Sequence, residues 1–237
     1  MENVADATVT TDNPVGHDVR AEADAVLQCL RDGGVAIIPL NVAYGIIGHT
    51  ESAIRRIFYV KERSFDKPSG CFGNLELSRD LHVLDARGEE VRRALIEQAD
   101  LPFSIVAPFR RDHPFLAPVD PFVIQTSSKD DGTMDMLMNA GPLHDALVDL
   151  SRAQGVPVFG SSANKSLTGS KFTLEDVEPE LRAAADIMID HGPCRDRNAD
   201  GVSSTILDFR DFSVLRRGCR FDQLTAFLRA RFGIALR

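Results

Sequence analysis

The chain contains no tryptophan and only two tyrosines among its 237 residues. An aromatic platform for stacking unpaired bases therefore has little to be built from. Cysteine is scarce as well: Cys29, Cys71, Cys194 and Cys219 form no CxxC pair and have no histidine partner at zinc-finger spacing. They read as scattered reduced thiols of an intracellular protein. The six histidines likewise show no HxxxH-type metal spacing. No apolar run approaches the ~20 residues of a membrane-spanning helix. The N-terminal stretch MENVADATVTTDNPVGHD is acidic and polar, unlike a signal or transit peptide. A net charge of −8 argues against a whole-surface nucleic-acid binder and leaves room for a local basic groove. A soluble, cytoplasmic protein with no membrane partner is the expectation.

What is present is enough apolar material for a sizeable core, 43% of residues, arranged as short apolar runs between helical stripes. Residues 1–18 have no periodicity and predict a disordered arm, with a single domain over 19–237. Ala23, Val26, Leu27 and Leu30 form a helical stripe ended by Gly33-Gly34. Val35 to Pro39 reads as a buried strand, Val42 to Gly48 as a glycine-punctuated turn, and Thr50 or Ser52 as the cap of a helix carrying Ile54, Ile57 and Phe58.

The alternation continues with a helix around Val91, Leu95 and Ile96 and a strand over Phe103–Ala107. Phe122-Val123-Ile124 suggests an edge strand in a Pro-, Asp- and Ser-rich segment, and Met134–Met138 a further strand. Leu143, Leu147 and Leu150 mark a helix leading to a strand at Val156–Phe159. Leu174–Ala185 reads helical, Ile187–Ile189 as a strand, Ser204–Phe209 and Phe212–Leu215 as a strand pair, and Phe221 to Leu228 as a closing helix. Helices interleaved with short apolar strands predict an α/β fold with one mixed sheet.

Two islands carry the chemistry. Lys61-Glu62-Arg63, followed by Asp66-Lys67-Pro68, gathers three cations where a helix ends. Ser161-Ser162-Ala163-Asn164 places two hydroxyls and a carboxamide at the end of a buried strand. Cations combined with small hydrogen-bonding groups are what a polyphosphate pocket needs. Gly201-Val202-Ser203-Ser204-Thr205 and Leu215-Arg216-Arg217-Gly218 add hydroxyls and another arginine. Taken singly, each pattern is also an ordinary helix end or turn.

Together, in this order, they resemble the Sua5/YciO/YrdC family. The matching pieces are Ile38-Pro39 with Tyr44-Gly45, Lys61-Glu62-Arg63 with Lys67-Pro68, Ser162-Ala163-Asn164, Ser204 to Asp208, and Val214 to Gly218. The resemblance implies an open, twisted α/β sheet with flanking helices around a large, positively charged cavity. It implies a nucleotidyltransferase of the threonylcarbamoyl-AMP synthase kind, using ATP with Mg2+ held mainly by the phosphates, bicarbonate and threonine, and serving tRNA t6A modification. The chain would end without the extra C-terminal domain of the longer relatives. Carried over, Lys61, Arg63, Lys67, Asn164, Thr173 and Arg216 stand on the ATP side. Ser162, Ser204, Tyr44, Leu40 and Phe72 stand on the acceptor side. No acid, base or protein metal ligand is assigned.

The acceptor side departs from the family pattern. Relatives have a Thr-acid-Thr-Val-Tyr-Gly-Leu run, where this chain has Leu40-Asn41-Val42-Ala43-Tyr44-Gly45-Ile46. Relatives also carry an arginine two residues before a proline on a central strand, suited to an amino-acid carboxylate. Met136 to Pro142 holds none here; Lys129 and Arg110-Arg111 are the nearby cations. The expectation is therefore a changed acceptor, more apolar or uncharged. The alternatives are a non-catalytic module binding a nucleotide, tRNA or double-stranded RNA, and a carbamoyl transfer to another small metabolite.

Overall fold

A computed structural model describes residues 8–9 and 17–236. The amphipathic face of α1 (Val19–Arg31) buries Ala23, Val26, Leu27 and Leu30, and Asp18 caps it by accepting from the Ala21 N–H at 3.0 Å. The apolar run that follows is β2 (Ala36–Ile38), fully buried as expected. Thr50 caps α2 (Glu51–Val60), whose Ile54, Ile57 and Phe58 face the core. The helix ends with Lys61 in the capping position. The helices α4 (Ala86–Glu97), α6 (Pro142–Gln154) and α8 (Phe221–Phe232) and the strands β5 (Phe103–Pro108) and β6 (Thr133–Met138) follow the hydrophobic periodicity.

Among the described residues ten strands make one mixed sheet, in the order β1-β8-β2-β3-β7-β4-β6-β5-β9-β10. Its remaining members are β1 (Thr8–Val9), β3 (Gly45–Gly48), β4 (Gly70–Phe72), β7 (Phe159–Ser162), β8 (Ile187–Ile189), β9 (Ile206–Asp208) and β10 (Ser213–Arg216). Thr8–Val9 run parallel to β8. The rest of the stretch expected to be a disordered arm, up to Gly16, lies outside the described residues. No helix among the described residues is long and apolar enough to cross a membrane.

Several local expectations are corrected. Gly45–Gly48 is a strand and not part of a turn: it pairs antiparallel with β2 and β7 and is buried throughout. Its glycines answer to crowding, since a Cβ on Gly48 would lie 2.9 Å from that of Ala53. Phe122–Ile124 belongs to the helix α5 (Pro121–Thr126). Asp120 accepts from the Phe122 N–H at 2.8 Å, and Pro121 sits in the first turn, where its missing N–H costs nothing. Between Leu174 and Ala185 only α7 (Pro179–Ala183) is helical, because Pro179 resets the chain and starts a new first turn. The strand expected at Val156 begins at Phe159, beyond Pro157. Near the cavity, β4, wedged between β7 and β6, and α3 (Leu75–Leu81) after it have no counterpart in the periodicity.

Candidate active site

A cavity of about 160 Å3 opens on one face of the sheet, across β7, β4, β6, β5 and β9. The β2–β3 connection walls it with Leu40, Val42, Ala43 and Tyr44, and β4 adds Cys71 and Phe72. Ser104, Asp135, Leu137 and Gly160 come from the strands beneath. Arg63, Ser161, Ser162, Ser203, Ser204 and Arg216 bring polar groups to it. Asp135 and Leu137 both reach the cavity because side chains two apart on a strand share a face.

Arg216 is fixed by the turn before β9. Its Nε and Nη2 donate to the Ser204 carbonyl at 3.1 and 2.8 Å, and Nη2 also meets Ser203 Oγ at 2.9 Å. Arg63 is fixed by its own loop, donating from Nε to the Lys67 carbonyl at 2.9 Å and from Nη2 to the Pro68 carbonyl at 2.7 Å. Burial lowers the pKa of both guanidiniums below the ordinary arginine value, and Arg216 adds to the effect on Arg63. Ser104 Oγ and Ser204 Oγ are 3.1 Å apart, and the Ser162 hydroxyl donates to Asn164 Oδ1 at 2.5 Å. Two buried side-chain oxygens of the lining have no hydrogen-bond partner among the described residues: Asp135 Oδ1 and Ser161 Oγ.

The structure thus brings Arg63, Arg216, Ser162, Ser204, Tyr44, Leu40 and Phe72 to one cavity. The remaining predicted residues do not line it. Lys61 is buried beneath, with its ammonium donating to the carbonyls of Ser162 and Asn164, both at 2.5 Å. It ties the end of α2 to the end of β7. Burial, with Arg63 next, pulls the Lys61 pKa down to about 7, while Glu178 opposes the change. The Asn164 amide donates to the Lys165 carbonyl at 2.6 Å. Lys67 is exposed on the loop, and the Thr173 hydroxyl donates to Asp176 at 2.7 Å. Tyr44 is among the lining residues but is fully buried, and its hydroxyl donates to Asp190 at 2.6 Å.

Of the nearby cations, Arg110 donates to the carbonyls of Asp80 and His82 at the end of α3, away from the cavity. His49 meets the Pro157 carbonyl at 2.8 Å and does not line it. His191 and His17 converge instead on Glu22, at 2.7 and 3.3 Å, with ligand atoms of all three within 4.8 Å of one another. That cluster joins distant parts of the chain, so no local spacing announces it. Sequence reasoning missed Ser104, Asp135 and Leu137 at the cavity, Asp135 being the one that carries charge. A lone acid in an alternating strand reads as the solvent-facing position, and only the sheet shows that its face is covered.

The fold and cavity define a class: an α/β domain with one mixed sheet and a cleft that gathers guanidiniums and hydroxyls from far-apart segments. The Sua5_yciO_yrdC family model, described as "Telomere recombination", matches residues 28–218. The chain belongs to this Sua5/YciO/YrdC family. It is 25% identical over 219 residues to threonylcarbamoyl-AMP synthase of Rattus norvegicus, covering 89% of this chain and 71% of that protein. A hypothetical protein of Streptococcus mutans UA159 shares the fold with a TM-score of 0.78 at 16% identity, over 97% of this chain and 96% of that one. P. abyssi Sua5, solved in complex with L-threonine, superposes with a TM-score of 0.70 at 19% identity, over 98% of this chain and 61% of its own. The chain thus spans about three fifths of that protein, and at these identities the two structures speak for the fold alone.

Proposed function

We propose that this protein is an ATP-using carbamoyl-adenylate synthase related to threonylcarbamoyl-AMP synthase, with an altered acceptor. The supporting observation is the convergence of Arg63 and Arg216 on one cavity with the hydroxyls of Ser161, Ser162, Ser203 and Ser204. Guanidiniums held by backbone carbonyls are positioned in advance for phosphate oxygens, and a partly buried site strengthens that attraction. Within the predicted set, Arg63 and Arg216 take the direct phosphate role. Lys61 acts from beneath by fixing the Ser162–Asn164 turn. Mg2+ would arrive on the ATP phosphates.

In the reaction, an amine and bicarbonate condense with loss of water to a carbamate. A carbamate oxygen then attacks the α-phosphorus, and the bond to the bridging oxygen breaks to release pyrophosphate. The protein's contribution is alignment of the two anions and neutralisation of their repulsion. Leu40, Val42, Phe72 and Leu137 give the acceptor half an apolar wall and no arginine. Threonine, the acceptor implied by the family, would leave its carboxylate without a bidentate partner there, which typically costs about 2 to 5 kcal/mol.

Pyrophosphate release tests this reading. It is expected to require ATP, bicarbonate and an amine together, and Arg63→Ala or Arg216→Ala should each weaken ATP binding at least tenfold in calorimetric titration. Absence of ATP binding would overturn the reading. So would ATP binding without pyrophosphate release for every amine and amino acid tried, which would leave a nucleotide-binding module.

A further inference from the structure

We propose that His17, Glu22 and His191 bind a Zn2+ ion, which clips the start of α1 to the loop after β8. None of the three lines the active-site cavity, and the site is independent of the reaction proposed above.

The three side chains come from separate segments. Glu22 stands in the first turn of α1, His17 just before that helix, and His191 two residues beyond β8. Glutamates are rarely buried without partners, and Glu22 is 6% exposed. Its two oxygens meet different rings: Oε2 lies 2.7 Å from His191 Nε2, and Oε1 lies 3.3 Å from His17 Nδ1. The rings stack with centroids 3.7 Å apart. One ligand atom from each residue therefore falls within 4.8 Å of the other two. Tetrahedral bonds of about 2.0 to 2.1 Å set ligand atoms about 3.4 Å apart, so small side-chain rotations seat an ion among these three. Without the ion, an N–H of each ring can donate to the carboxylate. Binding moves those protons to the outer nitrogens, Nε2 of His17 and Nδ1 of His191, and turns the inner lone pairs to the metal.

The donor set selects the metal. Two imidazoles and one carboxylate match a His2Glu zinc site, whereas Mg2+ and Ca2+ take oxygen ligands. Three protein ligands leave a fourth position for water. His17 and His191 both line a hollow of about 420 Å3, beside Pro39, Leu40 and Cys194, that gives the ion a way in. Arg195, which also lines this hollow, meets Asp196 at 3.5 Å. The loop has a second attachment. Asp190 and Gly192, on either side of His191, both accept from the Tyr44 hydroxyl, at 2.6 and 2.9 Å. A metal on His191 thus braces the loop that holds Tyr44, and its contribution is structural.

The experiment is calorimetric titration of the untagged full chain, stripped with EDTA and dialysed, with Zn2+ and separately with Mg2+. One equivalent of Zn2+ is expected to bind with a Kd of ~1 μM or tighter, and Mg2+ at least a hundredfold more weakly. His17→Ala and His191→Ala should each lower the Zn2+ affinity at least tenfold. With Zn2+ at a hundred times its Kd, the unsubstituted protein should melt about 5 °C or more higher, and either variant by less. Circular dichroism of the metal-free variants shows that they are folded. The His17 side chain is 28% exposed, so His17→Ala carries the test alone if His191→Ala does not fold. The inference is overturned if Zn2+ binds no more tightly than Mg2+. It is equally overturned if a folded variant binds Zn2+ at full strength, which would place the ion elsewhere on the chain.

Discussion

Burial raises the Asp135 carboxyl above the ordinary carboxylate range, against the opposing pull of Arg216, a hydrogen bond from Ser104, Lys129 and Arg63. A carboxyl whose native pKa exceeds its unfolded value holds more protons in the folded state between the two values. Its contribution to stability is full below the unfolded value, near 3.9, and is lost as pH rises through the native one. Ionising Asp135 in its buried position thus costs the fold stability. Asp135→Asn is expected to raise the melting temperature at pH 7 and to flatten its fall as pH rises from about 4. Thermal melts across pH 4 to 8 check this, and a lower melting temperature at pH 7 would mean that the arginines outweigh burial. Lys61 gives the complementary lesson in what a sequence reveals. Its charge beside Arg63 marks the right neighbourhood, but the reach of its side chain decides that two carbonyls, and not the cavity, receive it. Asp135 was illegible for the opposite reason: a lone acid among Met134, Met136, Leu137 and Met138 reads as the solvent side of a strand, and the covering of that face comes from segments far away.

Among the elements, the strands near the cavity are set by close backbone approach as much as by apolar pattern. Gly160 in β7 pairs with Ile47 of β3, and a Cβ there would sit 2.3 Å from the Ile46 carbonyl and 2.7 Å from Ile47 Cγ2. Neither neighbour has room to retreat, because Ile46 and Ile47 are fully buried. Gly160→Ala is therefore expected to destabilise the domain by about 3 kcal/mol or more, read as a lower midpoint in urea denaturation. A loss below ~1 kcal/mol would show that the β3–β7 pair adjusts freely. The same crowding explains why Gly45–Gly48 looks like a turn in sequence and is a strand in the fold. Long periodic elements such as α1, α6 and β5 were legible because each carries its own buried stripe. The short β4 was not: Gly70-Cys71-Phe72 has too few residues to show a period, and it is a strand because β6 and β7 flank it. In α5 the capping Asp120 and Pro121 outweighed the β-like run Phe122-Val123-Ile124.

Across the whole molecule, the pairing order explains why cavity residues scattered along the chain meet. β4, β5, β6, β7 and β9 are neighbours in the sheet, so the turn after α2, the Ser161–Ser162 strand end and the loop before β9 are drawn to one face. That concentration of two guanidiniums stands on a molecule with 35 acidic and 27 basic side chains. The contrast separates a nucleotide site from an RNA-binding surface. RNA binding releases counterions in proportion to the phosphates neutralised, so it needs basic groups spread over several phosphates and weakens steeply with salt. A nucleotide needs the local pair alone. At 150 mM salt a short RNA duplex is accordingly expected not to bind in fluorescence anisotropy, while a non-hydrolysable ATP analogue binds and loses at least tenfold in affinity with Arg63→Ala plus Arg216→Ala. If the duplex binds with a steep salt slope that this double variant abolishes, the cavity is the centre of a nucleic-acid surface. The reading as a small-molecule synthase would then give way to the RNA-binding module.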